Sequence, residues 1–270
     1  MTSVTMVVAP SIARAIEAAL SDCVDLGPVR SLPPVVVAAA TTDAASPHGA
    51  GRFVVEFFER HASDAKLVVP PQPVVSVLSQ VARRKSGLTR VDIRPRAERI
   101  TSVWLPAHIV SAKTLVAVND VRQDLAVRPA LAIGLWSQFA GLWERIGVRL
   151  AKPDEGLAAE IALAVRPALI LLVDSWRGLP VVISTSDQIA AELVGLAVRQ
   201  ARRAGEDDLI GPWQDPLVQR ATELDLGVRS PEQLAIRMVI EGTNGSNDAA
   251  TLGEDVAARL GVRDFAVTRG

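Results

Sequence analysis

The sequence predicts an α/β protein of three layers, a mostly parallel β-sheet with helices on both faces. Two features predict it. Short apolar runs, residues 35–40 (Val-Val-Val-Ala-Ala-Ala) and 168–173 (Ala-Leu-Ile-Leu-Leu-Val), lack the polar alternation of a half-solvated strand, so both of their faces are expected to be buried. Stretches with apolar residues at helical spacing separate such runs, and this order packs helices on both sides of a parallel sheet.

The elements follow in order. Residues 4–9 form a β-branched run closed by Pro10, and Ser11 then caps a helix with apolar positions at Ile12, Ala15, Ile16, Ala19 and Leu20. Pro33 and Pro34 precede the strand 35–40, and a small-polar loop, 41–51, leads into a helix over 52–61. A strand at 65–69 is broken by Pro70, Pro71 and Pro73, and residues 74–85 have helical periodicity, with Arg83, Arg84 and Lys85 at the favourable C-terminal end before Gly87. Residues 90–94 and 99–104 alternate in polarity like short strands, and 114–118 reads as a buried one. Beyond these, 156–165 is helical, 168–173 is a buried strand ending at Asp174, and 180–184 is a further strand. Thr185 with Gln188 forms a capping box opening a helix over about 187–203. Gly242, Asn244, Gly245, Ser246, Asn247 and Asp248 compose a linker, followed by a helix and a terminal strand. The expected organisation is therefore one α/β domain over 1–240 and a linker with C-terminal extension over 241–270.

Composition excludes several classes. Apolar residues make up 49% against 22% charged, too hydrophobic for a disordered chain. The apolar stretch 161–173 is short and contains Arg166, so no membrane-spanning helix is expected, and residues 1–10 lack the pattern of a secretory signal. A cytoplasmic protein is the expectation. The formal net charge is -1 with scattered basic residues, which argues against nucleic acid as a partner. The single cysteine, Cys23, makes neither an intramolecular disulfide nor a cluster site. The heptapeptide Leu-Ala-Val-Arg-Pro-Ala-Leu occurs at 125–131 and again at 163–169, but without further self-similarity it does not make a repeat architecture.

Two loops carry candidate chemistry. Residues 41–52 follow a buried strand and open a helix, and His48, Gly49, Gly51 and Arg52 there suit an anion held by helix-start N–H groups; an ordinary βα loop reads the same way. The second candidate joins Asp174 and Arg177, after one strand, with Ser184, Thr185, Ser186 and Asp187, after the next. Ligands of parallel sheets bind outside the carboxyl ends of the strands, so the two segments are expected to share a crevice. Against this, Ser186 and Asp187 are also explained as helix caps, and Asp174 as an ion-pair partner of Arg177. His48, His61 and His108 lie at no metal-binding spacing, so no metal site is expected, and no nucleophile elbow is present. Trp136 and Trp143 are seven residues apart on one face if that stretch is helical, with Leu135, Phe139 and Leu142; that face is either core or a subunit interface.

Parts of the chain resemble the bacterial and archaeal proteins grouped as domain of unknown function family 362. The similar pieces are Ser111-Ala112-Lys113-Thr114, Val165-Arg166-Pro167-Ala168-Leu169, the segment from Ser186 to Gly195, and Asp215-Pro216-Leu217 with Ser230-Pro231-Glu232. The resemblance spans about half the chain, residues 111–240. Many of those proteins carry iron–sulfur cysteine motifs; this chain has none, so no iron–sulfur cluster is expected and no other cofactor is indicated. Where those proteins show a further proline and aspartate, this chain keeps Asp187 but has Gln188 and Glu192.

Two functions fit. One is a cytosolic protein binding a small anionic or polar metabolite at the strand ends, with or without catalysis; His48 and Arg52 would contact the anion, Lys113 would supply charge, and Asp174 and Asp187 would accept protons or hydrogen bonds. The other is a non-catalytic assembly or scaffold protein forming a homo-oligomer or hetero-complex. A transcription regulator is disfavoured by the lack of a basic recognition helix.

Overall fold

The computed structural model describes residues 1–22, 33–39, 49–61, 63–70, 87–93, 100–121, 131–139, 142–145, 148–150, 158–202, 210–242 and 246–270. The helix expected over 74–85, Cys23 and His48 lie outside these residues, as does the first heptapeptide copy apart from Leu131.

The main sheet is built from β1 (Thr2–Val8), β2 (Val35–Ala39), β3 (Ala65–Val68), β6 (Thr114–Asp120), β9 (Leu169–Trp176), β10 (Leu179–Thr185), β11 (Leu234–Ile240) and β12 (Asp264–Arg269), in spatial order β12-β11-β1-β10-β9-β6-β2-β3. Every neighbouring pair is parallel except the two made by β10, so β10 alone among these strands runs against the rest. The expected mostly parallel α/β sheet is the one observed. A separate antiparallel sheet holds β4 (Leu88–Asp92), β5 (Ile100–Pro106), β7 (Leu142–Arg145) and β8 (Val148–Leu150), in the order β4-β5-β7-β8.

Helices α1 (Ile12–Ser21) and α2 (Ala50–Arg60) cover one face of the main sheet. Their buried residues Ile16, Leu20, Val54 and Phe58 pack with Val35, Val37, Val116, Val118 and Leu171. Ser11 caps α1 as expected, its Oγ accepting from the Arg14 N–H at 3.3 Å. The opposite face is covered by α4 (Leu135–Phe139), α5 (Ala158–Ala164), α6 (Gln188–Arg202), α7 (Pro216–Glu223) and α8 (Ser246–Leu260), which pack against Met6, Leu172, Ile183 and Met238. Strand residues thus alternate between two apolar layers, and each fully buried large side chain contributes about 1.5–3 kcal/mol. A short helix, α3 (Ala107–Val110), links β5 to β6.

Three expectations change. The 246–260 helix and β12 are not an appendage: Ala249, Leu252, Val256 and Leu260 belong to the main core, and β12 pairs in register with β11. Trp136 and Trp143 do not share a helix face, because the helix ends at Phe139 and Trp143 falls in β7. Leu135, Trp136 and Phe139 are wholly buried in the core, which withdraws the apolar stretch that motivated a subunit interface there.

Candidate functional site

The carboxyl ends of the co-directional strands meet along one edge of the sheet. There β2, β6 and β9 are adjacent, with Ala39 beside Val118 and Asp120 beside Val173, and the Val121 N–H donates to Val173 O at 2.9 Å. Asp174, the next residue of β9, has its side chain fully buried. Its Oδ1 accepts from the Ser175 N–H at 2.6 Å and from Arg202 Nη2, at the last turn of α6; Arg202 also donates to Ser175 O. Burial pushes the Asp174 carboxyl above its usual value, Arg202 and the Ser175 amide pull it down, and the charge of nearby Asp120 adds to the rise.

β9 turns directly into β10 through Arg177 and Gly178, both at positive φ, 49° and 84°. That is the backbone of a two-residue hairpin turn, in which glycine serves the left-handed conformation without strain and arginine does not. The Arg177 guanidinium lies 5.8 Å from the Trp176 ring centroid and pairs with Asp248 in the first turn of α8, which also starts at this edge. Asp174 therefore pairs with Arg202, and the expected Asp174–Arg177 pair is not formed.

α2 opens at the same edge. Gly49 is its N-cap residue, and no side chain of its own reaches the first-turn N–H groups. By contrast α1 is capped by Ser11 and α7 by Asp215, whose Oδ1 accepts from the Leu217 N–H at 2.8 Å. Gly49 and Gly51 are buried, and Arg52 is exposed, its Nε 3.4 Å from Glu56 Oε1.

The hairpin undoes the single crevice expected from the sequence. Because β10 is reversed, Ser184, Thr185, Ser186 and Asp187 emerge at the amino edge of the parallel strands, opposite Asp174. Lys113, one residue before β6, is exposed at that amino edge as well. Asp187 acts there as a tie: it accepts from the Ala190 N–H at 2.8 Å, the Val228 N–H at 2.9 Å and, at 3.5 Å, the Thr2 hydroxyl. Burial raises its pKa against these donors. The cap of α6 is thus Asp187 with Ala190; Thr185 Oγ1 accepts from the Asp187 N–H at 3.3 Å, and Ser184 Oγ donates to Thr5 O at 3.4 Å.

Gln188, expected in a capping box, is buried instead. Its Oε1 accepts from Trp136 Nε1 at 2.9 Å, and its Nε2 donates to Ala162 O and Val165 O at 3.2 and 3.1 Å. One turn on, Glu192 is buried with Oε2 accepting from the Ala132 and Ile133 N–H groups at 2.7 and 2.9 Å. Burial outweighs those donors and pushes its pKa up to about 7. Asn119, at the tip of β6, donates to Leu131 O at 2.9 Å, so one polar chain ties segment 131–139 to both α6 and the sheet. Gln188 and Glu192 are spaced i, i+4 on the buried side of α6, which was visible as polar interruption of an apolar face; their backbone partners, distant in sequence, were not.

Among the described residues no group of three or more His, Cys, Asp and Glu side chains could hold a metal ion. His61 Nδ1 lies 2.8 Å from Phe57 O, and His108 Nε2 lies 2.9 Å from Lys66 Nζ. Among those residues, too, no helix is long and apolar enough to cross a membrane. No family model matches the chain, and no curated protein or solved structure matches it either.

Proposed function

We propose that this protein binds a small anionic metabolite at the carboxyl edge of its sheet, where β2 leads into α2 beside the tips of β6 and β9. The observation that carries the reading is the start of α2: an eleven-residue helix opens at this edge on Gly49, and among the described residues no side chain caps its first turn. Helix-start amides and the helix dipole favour negative charge, and glycines at 49 and 51 leave room for close approach. Arg52 adds a cation in the first turn, and its pair with Glu56 is exposed, so that a ligand anion can replace it. Asp174 and Arg202 brace the neighbouring strand tip, and His48, immediately before Gly49, remains in the proposed contact set. Ser184, Thr185, Ser186, Asp187 and Lys113 are left out of it, since they stand at the other edge.

The test is a thermal-shift screen with inorganic phosphate, nucleotides and small carboxylic acids. A ligand at a hundred times its Kd stabilises the folded state by about 2.7 kcal/mol, which for a chain of this size raises Tm by roughly 5–10 °C. Arg52→Glu should lose most of that shift while keeping the unliganded Tm. No stabilisation by any of the three classes, or an undiminished shift in Arg52→Glu, overturns the proposal.

A further inference from the structure

We propose that β12 is a dimerisation edge, pairing antiparallel with β12 of a second copy about a twofold axis at Val267 so that the two main sheets become one. The proposal is independent of ligand binding. Among the described residues β12 is hydrogen-bonded to β11 alone and ends the strand order. A sheet edge offers unpaired N–H and C=O groups, and monomeric proteins blunt it with lysine, proline, bulges or very short strands. The other end of the sheet is blunted in this way: β3 has four residues, carries Lys66 and runs into Pro70 and Pro71. β12 has six residues in unbroken register with β11, and its interior is Phe265-Ala266-Val267-Thr268, without charge, proline or bulge. Val267 is 38% exposed, unusual for a large apolar side chain in this molecule.

The hydrogen-bond geometry selects the register. The Gly270 N–H donates to Ile240 O at 3.0 Å, and Arg269 stands beside Ile240. In a parallel ladder this turns the N–H and C=O groups of Ala266 and Thr268 toward β11, and those of Phe265, Val267 and Arg269 outward. An antiparallel partner must match outward groups with outward groups. Centring the axis on Val267 does so: Val267 faces its own copy and Phe265 faces Arg269 of the second chain, each pair exchanging two N–H···O bonds. The same register sets the exposed valines side by side and lays the Arg269 stem and guanidinium across the Phe265 ring. On the other face Ala266 meets Thr268 and Asp264 meets Gly270, so no like charges oppose one another. A strand that satisfies itself in this way favours a second copy over an unrelated peptide.

Sedimentation of the full chain over a concentration series tests this, with Val267→Pro and Val267→Lys as variants. The Val267 N–H points away from β11, so proline there removes an outward donor without breaking the internal ladder; lysine sets two like charges on the axis. At about 100 μM the wild-type chain should sediment at twice its 28.7 kDa mass, and either variant at that mass with an unchanged circular-dichroism spectrum. Amide exchange at Phe265, Val267 and Arg269 should slow as concentration rises. A wild-type monomer throughout, a dimer that survives in a folded variant, or exchange at those amides that ignores concentration overturns the proposal.

Discussion

Replacing Glu192 by Gln should flatten the pH dependence of stability between pH 4.5 and 7. Glu192 is 2% exposed and its carboxyl pKa is raised from 4.5 to about 7, because burial disfavours the charge more than the Ala132 and Ile133 amides favour it. Of the charges around it, Asp215 adds to the rise and Arg199 opposes it. The folded-state value lies above the unfolded one, so the group's stabilising contribution is complete below pH 4.5 and is lost as pH rises through 7. Each unit of difference is worth about 1.4 kcal/mol, so ionising this one carboxyl removes about 3 kcal/mol of stability. Glutamine keeps a carbonyl oxygen for the same two amides and never ionises. Urea unfolding of both proteins at pH 5, 6, 7 and 8 measures the effect: the wild-type curve should fall toward pH 7 relative to the variant, and the variant should be the more stable of the two at pH 8. Parallel curves for the two proteins would refute the reasoning, since Asp174 and Asp187, also raised, contribute equally to both.

Other substitutions probe the ties around the two edges. In Gly227→Ala the new Cβ would stand 2.1 Å from Asp187 Oδ1; loss of the α6 cap and of the Val228 link should cost about 2 kcal/mol in urea unfolding. Arg202→Met removes the Arg202 guanidinium from the buried Asp174 carboxylate and should cost about 3 kcal/mol at pH 7, an effect that shrinks as pH falls and Asp174 takes up a proton, read from the same unfolding curves. Arg177→Asn relieves left-handed strain but gives up the exposed ion pair with Asp248, two terms of about 1 kcal/mol, so Tm should barely move. Arg177→Val, which is β-branched at a positive φ, should lower it.

Local pattern was enough for α1 and for most strands of the main sheet, because burial on both faces and helical spacing are properties of neighbouring residues; β7, β8 and β11 were not among the expected strands. The direction of β10 was also within reach of the sequence. Trp176 and Leu179 are separated only by Arg177 and Gly178, and a parallel crossover needs a dozen residues or more, so two strands this close can only form a hairpin. Treating Asp174 to Gly178 as a loop hid that constraint, and with it the fact that Asp187 would emerge opposite Asp174. The partners of Glu192 and Gln188 were a different matter. Both residues interrupt the apolar face of α6, but the amides of Ala132 and Ile133 and the carbonyls of Ala162 and Val165 reach them only through the tertiary fold.

The reversal of one strand sorts the polar groups of the molecule by use. At the amino edge, Asp187 holds β1, α6 and the turn at Val228 together, and every donor it meets belongs to the protein. A carboxylate so occupied has little capacity left for a ligand, and one that accepts three internal bonds gains nothing from meeting an anion. At the carboxyl edge the balance is opposite around α2, where the helix brings donors and its cap residue, Gly49, brings no side-chain acceptor. Backbone N–H groups without a partner are costly when dry, so any that the protein leaves open there are met either by water or by a solute that carries oxygen atoms. An edge that presents donors gives a small anion something to gain on leaving water, and that asymmetry is the argument for the proposed ligand site beside α2, while Asp187 holds the fold.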